Sequence, residues 1–322
     1  MIERIPAKAV VAIALAACVL VADAQSPATP RRIGILTVGP PTRLLDGMRE
    51  LGYVEGRDVV YDVMETRGDR EQVERQASEF ARQKVDVIVA MYPGAALAAR
   101  RATASIPIVM VNTPDPVQLG IVASLAHPSG NVTGTTSLSV DVSVKQLQIL
   151  KEAVPRATRI ALLWNPDSPW HPLVVDALRK GVEVPGVQVQ MLAIREPAGI
   201  DVAFRSMIAE RADAFLVLAD PMLHAPTNRA RIAELALRHR LPSMGGLRGY
   251  AEAGGLMSYW ADENELFRRA ASYIDRILRG TSIDRLPIEQ PTKYELVVNR
   301  TTAKALGRTM PQPLLLRATL ID

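Results

Sequence analysis

Two hydrophobic patterns alternate along the chain from residue 31 onward. Short, mostly apolar runs such as 33–36 and 85–90 are typical of strands that are buried on both faces of a sheet. Amphipathic stretches such as 69–84, in which apolar residues recur at helical spacing, follow these runs. The sequence therefore predicts strands and helices in regular alternation.

The alternation runs through the chain twice. One series of strand–helix units ends with a helix over 141–153, and a second series begins with a strand over 159–164. In the second series, Asp262 and Glu265 form a capping-box-like start to a long helix that Gly280 stops. Strands that alternate with helices form right-handed units and parallel sheets covered on both faces. We therefore predict an α/β fold with two doubly wound parallel-sheet lobes.

The first 24 residues differ from the rest and have the layout of a secretory signal peptide. Arg4 and Lys8 precede an apolar stretch over 9–20, and small residues at 22–24 are typical of a cleavage site. An alternative is a lipobox over 15–18, in which Cys18 becomes a lipid-modified N-terminus. Both alternatives export the protein to the periplasm.

Composition excludes several classes of protein. The chain is 48% hydrophobic and 22% charged, which is typical of a globular protein and not of a disordered one. Its net charge of +4 is spread along the chain, and no basic run lies beside aromatic residues, so we predict no nucleic-acid surface. Beyond the leader no apolar run is long enough to span a membrane.

No motif for catalysis or metal binding is present. The sequence has no Cys-x-x-Cys, Gly-x-Ser-x-Gly or P-loop, and no dinucleotide fingerprint after its first strand. Its histidines are not paired at metal-binding spacing, and we expect each at the surface or in a loop: His127, His171, His224 and His239. We therefore predict no catalytic residue, no metal and no cofactor, and thus not an enzyme.

Ligands of doubly wound folds bind beyond the carboxyl ends of the strands, where loops lead into helices. This rule selects six loops before any other information is used, namely 37–40, 92–95, 112–115, 164–168, 220–222 and 245–248.

Seven segments of the chain, in order, resemble the ABC-transporter solute-binding family that includes tryptophan- and tyrosine-type binding proteins. They are 51–57 (LGYVEGR), 85–89 (VDVIV), 115–117 (DPV), 128–134 (PSGNVTG), 238–242 (RHRLP), 252–259 (EAGGLMSY) and 291–299 (PTKYELVVN). The resemblance implies a type I periplasmic-binding-protein fold, in which two lobes are joined by three crossovers.

On that reading the first lobe comprises 31–140 plus 256–286, and the second comprises 141–255 plus 287–322. The crossovers act as a hinge, and the cleft between the lobes is the binding site. The resemblance further implies an exported substrate-binding component of an ABC importer. Such a protein captures a small polar solute, an amino acid or a related metabolite, and delivers it to inner-membrane permease subunits. We expect it to act as a monomer.

An amino-acid ligand has two charged ends that need partners. Free N–H groups at the start of a helix suit its carboxylate, and the candidates are Tyr92, Pro93, Gly94 and Ala95. A carboxylate suits its ammonium group, and Asp220 matches an aspartate that the resemblance places in the cleft. The alternatives are a tight strand-to-helix turn at 92–95 and a helix N-cap at Asp220.

Further hydrogen bonds at the cleft are expected from Asn112, Asp115, Thr135, Asn165 and Ser168, although Asp115 before a proline also suits a structural turn. Two departures from the family bear on the ligand. The loop 37–41 is shorter than usual, and Tyr92 stands where a small hydroxyl residue is common.

An alternative function is compatible with the same fold. An exported ligand sensor that signals to a membrane receptor or kinase would have the same leader and the same cleft. A cytoplasmic regulator is disfavoured, because the leader exports the chain and no DNA-binding helix pair precedes residue 33.

Overall fold

The structure is a computed structural model that describes residues 29–66, 69–128, 130–137, 139–180 and 184–322. The predicted signal peptide over 1–24, and Cys18 within it, lie outside the described residues.

The first lobe is built on a five-stranded parallel sheet with the strand order β2-β1-β3-β4-β5. Its strands are β1 (Arg31–Thr37), β2 (Val59–Glu65), β3 (Val87–Ala90), β4 (Ile108–Pro114) and β5 (Val132–Ser137). The helices that follow β1, β2 and β3 are α1 (Thr42–Glu50), α2 (Arg70–Gln83) and α3 (Pro93–Ala102). β5 lies at an edge of the sheet.

The second lobe is built on a seven-stranded sheet with the order β12-β11-β10-β9-β8-β6-β7. Its strands are β6 (Arg159–Trp164), β7 (Gln188–Ala193), β8 (Ala214–Val217), β9 (Ser243–Gly245), β10 (Met257–Ala261), β11 (Tyr294–Asn299) and β12 (Thr319–Ile321). The helices are α4 (Ser139–Ala153), α5 (His171–Arg179), α6 (Gly199–Ala209), α7 (Pro226–Arg238), α8 (Arg248–Glu252), α9 (Glu263–Leu278), α10 (Arg300–Ala305) and α11 (Gln312–Leu315). Of these, α9 packs on the first lobe, against α1, β4 and β5.

Both sheets are covered on both faces. Every residue of β3 and of β8 is buried, and neighbouring residues along each strand point into different hydrophobic clusters. For example, Leu216 joins the cluster on the α4 side of the second sheet, whereas Phe215 packs edge-on against Phe204 of α6 on the other side. The predicted α/β fold of two doubly wound lobes is confirmed.

The chain passes between the lobes three times. It leaves the first sheet after Ser137, returns between β10 and α9, and crosses again before β11. We expected the first lobe to resume at 256, but β10 pairs with β9 and β11 in the second sheet. We therefore propose lobes of 31–137 plus 263–290 and of 139–262 plus 291–322.

The three crossovers are tied to one another. Glu289 joins the last crossover to β5, because its carbonyl accepts the Thr136 N–H at 2.9 Å and its own N–H donates to the Gly134 carbonyl at 3.0 Å. The carboxylate of Glu265, in the first turn of α9, accepts the Lys293 N–H at 3.1 Å and the Thr292 hydroxyl at 2.5 Å. These contacts hold the crossover segments side by side.

One strand pair departs from the parallel arrangement. β11 runs antiparallel to β10, from Met257 opposite Val298 to Ala261 opposite Tyr294. The reason lies in the crossovers: the chain leaves β10 at its carboxyl end and re-enters the same lobe at that end, so β11 has to run in the opposite direction.

Close approach of β4 and β5 requires a glycine at position 134. Gly134 lies opposite Met110 with φ +129°, and a Cβ there would be 2.0 Å from the Met110 carbonyl oxygen. The register shifts between Met110 and Thr113, just where β4 approaches the cleft.

We expect Gly134→Ala to lower the free energy of unfolding by about 3 kcal/mol or more, because it adds a backbone clash to an unfavourable φ. Gly120→Ala is the matched control, since Gly120 has φ +67° but open space around its Cβ position. That variant should lose only about 1–2 kcal/mol. Urea unfolding of both variants measures the difference, and equal losses would contradict the steric explanation.

Candidate functional site

Asp220 lies at the carboxyl end of the second sheet, in the turn that follows β8. It is only 5% exposed. Its Oδ1 atom accepts the backbone N–H groups of Met222 at 2.9 Å and Leu223 at 3.0 Å. Asp220 therefore caps this turn, which is the structural role that we considered for it, although the turn is not the start of a helix.

Asn165 joins Asp220 from the neighbouring loop after β6. Its side-chain N–H donates to Asp220 Oδ2 at 3.2 Å, and its Oδ1 accepts the Asp167 N–H at 2.9 Å. Ser168, which is 6% exposed, donates its backbone N–H to the Asn165 carbonyl at 3.1 Å. The structure thus brings together three of the predicted residues, Asn165, Ser168 and Asp220.

The electrostatics of Asp220 are those of a carboxylate without a cationic partner. Burial raises its pKa, and hydrogen bonds from Leu223, Asn165 and Met222 oppose that rise. All three donors are neutral groups. A carboxylate has about four acceptor positions, so three bonds leave room on Oδ2 for one further donor. The arrangement is suited to a positively charged ligand group.

His171, the first residue of α5, lies behind these two loops. It is fully buried, and burial lowers its pKa to about 3. His224 follows Asp220 in the same turn, is 7% exposed, and has its pKa lowered to about 4 by burial. The expectation of a surface or loop position is therefore wrong for His171, whose buried ring lies between the loops that follow β6 and β8. His224 does lie in a loop, as expected, but it is buried there. His127 and His239 are exposed.

On the first lobe, Tyr92 precedes α3 and Pro93 is its first residue. Tyr92 is 9% exposed, its hydroxyl bonds to the hydroxyl of Thr66, and burial raises its pKa to about 12. A Cβ on Gly94 would be 3.0 Å from the Tyr92 ring. The Tyr92 ring therefore lies beside Gly94, and the contact of Gly94 with a ligand stays a prediction.

The start of α3 still offers backbone donors. The first hydrogen bond within the helix runs from the Ala96 N–H to the Tyr92 carbonyl at 3.1 Å. The N–H groups of Gly94 and Ala95 come before it and therefore have no acceptor within the helix. Ala95 is buried, and Gly94 is partly exposed.

The end of β4 and the residue that follows it have an irregular backbone. Asn112, which lies within β4 and not in the loop predicted for it, has a φ of +48°, and Asp115, just after the strand, has a φ of +44°. The Asn112 N–H donates to the Thr135 hydroxyl at 2.8 Å, and the Asp115 N–H donates to the Ser137 carbonyl at 3.1 Å. Thr135 therefore supports this end of β4, while the buried Oδ1 of Asn112 has no partner.

Several polar side chains near the crossovers also bear on the site; of these, positions 113 and 164 fall in the loops selected from the sequence, whereas the others were missed by sequence reasoning. Buried side-chain atoms without a hydrogen-bond partner occur, among the described residues, at Thr113, Ser137, Ser143, Gln146, Trp164 and Trp260. A buried polar atom without a partner is costly, so these atoms are available to a ligand or to water. Thr113, Ser137 and Trp164 lie at or next to the ends of strands, where the sequence gives a signal, whereas Ser143 and Gln146 lie inside helix α4.

A cavity of about 780 Å³ lies beside the crossovers rather than over Asp220. Its walls come from the first lobe, both later crossovers and the edge of the second sheet, including Arg43, Arg248, Glu263, Lys293 and Glu295. Arg43 pairs with Glu263 at 2.6 Å and Arg248 pairs with Glu295 at 2.6 Å, so its walls are charged and largely paired internally.

Within the described part of the chain, no three His, Cys, Asp or Glu residues are grouped so that they could hold a metal ion. No helix in that part is both long and apolar enough to cross a membrane.

Residues 42–321 match the model of a protein family described as ABC transporter substrate binding protein. A curated relative, the tyrosine-binding protein of Clostridioides difficile strain R20291, is 27% identical over 263 residues, which cover 81% of this chain and 74% of the relative.

Two solved structures are similar to the whole fold. An ABC domain from Streptococcus pneumonia in complex with L-Trp is 23% identical to this chain, and the two structures match with a TM-score of 0.80. The match covers 90% of this chain and 100% of that chain. The ligand-free, open structure of a substrate-binding protein with adhesive properties from Clostridium difficile is 26% identical to this chain and matches it with a TM-score of 0.66. The match covers 91% of this chain and 99% of that chain.

We expect the two buried histidines to make the protein less stable as the pH falls below 6.5. Their folded-state pKa values are about 3 and about 4, so between pH 6.5 and these values only the unfolded chain takes up the protons. Each histidine then removes about 1.4 kcal/mol of unfolding free energy per pH unit.

Urea unfolding between pH 7 and pH 5 measures this slope. His224→Gln should reduce it to about half, whereas His239→Gln, at an exposed position, should leave it unchanged. A slope that is the same in all three proteins would contradict the assignment.

Proposed function

We propose a function for this chain from one premise: it belongs to the ABC transporter substrate-binding protein family. The match confirms the resemblance inferred from the seven sequence segments. The family and the curated relative are binding proteins, which also confirms the prediction that the chain is not an enzyme.

The proposed function is the capture of a small polar solute with a cationic amine, an amino acid or a related metabolite, between the two lobes. The observation that carries this proposal is Asp220, a 5% exposed carboxylate at the cleft end of β8 whose three hydrogen-bond donors are all neutral. An ammonium group would supply the missing positive charge. The names of the tyrosine-binding relative and of the L-Trp complex support an amino acid as the ligand class.

The two ends of such a ligand would contact different lobes. Asp220 and Asn165 on the second lobe would receive the ammonium group. The N–H groups at the start of α3 on the first lobe would receive the carboxylate, because donors are free there and the helix dipole favours an anion. Asn112 and Asp115 lie at the neighbouring end of β4 in the first lobe and Ser168 in the facing second-lobe loop, with Thr135 supporting the former.

Contacts to both lobes would drive hinge closure. A ligand that bridges the lobes binds the closed form more tightly than the open form, and this difference in affinity shifts the equilibrium toward closure. The three tied crossovers are suited to such a hinge.

The cellular role that we propose is that of the exported component of an importer. The family description favours import over the sensor alternative. In this role the closed, monomeric protein would carry its ligand through the periplasm to permease subunits in the inner membrane.

A thermal-shift screen of residues 25–322 against the common amino acids tests the ligand class. A ligand at 100 times its Kd adds about 2.7 kcal/mol of apparent stability, which raises Tm by a few degrees at this size. We expect a shift with at least one amino acid, with L-Tyr and L-Trp as the first probes. The corresponding α-hydroxy acids, which lack the amine, should give no shift. A shift with the hydroxy acids, or none with any amino acid, would contradict the proposal.

Asp220→Asn should weaken binding of the best amino acid from that screen at least tenfold, about 1.4 kcal/mol, because the ammonium group loses its charged partner. Asp213→Asn is the matched control. Asp213 lies just before the other end of β8 and also accepts backbone N–H groups, from Thr158 at 2.8 Å and Arg159 at 2.9 Å. Calorimetry should show an unchanged affinity for the control, and equal affinity in both variants would remove Asp220 from the site.

A further inference from the structure

We infer that His171 is a positioning residue of the proposed site, where its neutral imidazole links the loop of Asn165 to the loop of Asp220 and so fixes the Asp220 carboxylate for the ligand. This inference rests on the proposed function for its consequence in binding. The link itself is a property of the fold and can be tested without a ligand.

The link consists of two hydrogen bonds from opposite sides of one ring. The Asn165 backbone N–H donates to His171 Nδ1 at 2.8 Å, and His171 Nε2 lies 3.1 Å from the carbonyl oxygen of Ala219. Ala219 immediately precedes Asp220. The imidazole therefore joins the residues that follow β6 and β8, two strands that are neighbours in the second sheet.

A third hydrogen bond connects the two loops directly and closes a cyclic network of hydrogen bonds. The Asn165 side chain donates to Asp220 Oδ2 at 3.2 Å, so each loop is held to the other both through His171 and through the Asn165–Asp220 pair. Asp220 Oδ1 is fixed separately by Met222 and Leu223. The one acceptor position left on the carboxylate is thus on Oδ2, next to Asn165.

The protonation state of His171 follows from its partners. A backbone N–H can only donate, so Nδ1 must be the unprotonated nitrogen and Nε2 must carry the proton that is donated to Ala219. An imidazolium ion would place two N–H groups against each other at Asn165. The ring is fully buried and makes a T-shaped contact with Trp170, with 4.4 Å between the ring centroids. His224 interacts with it electrostatically, and Asp220 follows Ala219, to which the ring is hydrogen-bonded.

An apolar side chain of the same size would fill this space without linking the loops. Histidine is one of the few side chains that offer an acceptor and a donor on opposite sides of a rigid plane. The chemistry at position 171, and not only its volume, is therefore what the two loops require.

Two variants separate chemistry from volume. His171→Phe keeps a planar ring and removes both bonds, whereas His171→Gln retains one acceptor and one donor. His127→Phe, at an exposed position, is the matched control. Hydrogen exchange is read at the Met222 and Leu223 amides, which bond to Asp220 and do not touch His171.

We expect His171→Phe to speed exchange of these two amides at least tenfold, His171→Gln to restore most of the protection, and the control to leave it unchanged. Binding of the best amino acid from the screen should weaken at least tenfold in His171→Phe. It should weaken much less when Asp220 is already replaced by Asn, because the carboxylate being positioned is then absent.

Each outcome bears on one part of the inference. Unchanged exchange at Met222 and Leu223 in a folded His171→Phe variant would overturn the link. Faster exchange with unchanged affinity would support the link and overturn the role of Asp220 in capture, which is a failure of the proposed function. If His171→Phe does not fold, nitrogen NMR of the native protein decides, since a proton on Nδ1 of His171 at pH 7 would overturn the link.

Discussion

Burial of both faces of both sheets is the constraint on which the rest of this structure depends. Strands such as β3 and β8 are buried along their whole length, so their faces offer no place for polar chemistry. Polar side chains gather instead where such strands end and the chain turns into a helix, and along the edge strand β5, whose buried residues include Thr133, Thr135, Thr136 and Ser137. The three crossovers lie at the carboxyl ends of β5 and β10 and at the start of β11, and they place these ends of the two lobes opposite each other.

The two lobes contribute different polar groups to the candidate site. The second lobe supplies the carboxylate of Asp220. All of its hydrogen-bond donors are neutral, so its negative charge is not compensated, and a buried charge of this kind is costly. The first lobe supplies backbone donors at the start of α3, beside a Tyr92 ring whose hydroxyl is already bonded to Thr66. In the proposed function, a ligand that carries both charges would contact both lobes only when they close on it, and the electrostatics of the candidate site would then be coupled to closure.

The loops of the candidate site were predictable because ligands of parallel sheets bind beyond the carboxyl ends of the strands. This rule selected the loops of Asn165, Ser168 and Asp220, while the family resemblance pointed to Asp220 itself, and the structure brings the three residues together. His171 was not found, because a histidine at the start of an amphipathic helix looks the same in sequence whether its ring faces solvent or two loops from other strands. The side chain of Tyr92 was known to be large, but whether it would enter the cleft or turn toward Thr66 depended on a neighbour from another strand–helix unit.

The sequence by itself determined the two-lobed α/β architecture, the order of the main strands and helices and the loops that bear the candidate site, because hydrophobic periodicity and strand-to-helix punctuation are local properties. It did not determine that β10 belongs to the second lobe or that β11 runs antiparallel to it. Only the tertiary structure decided these points, together with the buried ring of hydrogen bonds through His171, Asn165 and Asp220. Each of them depends on contacts between segments far apart in the chain, and no local pattern specifies such contacts.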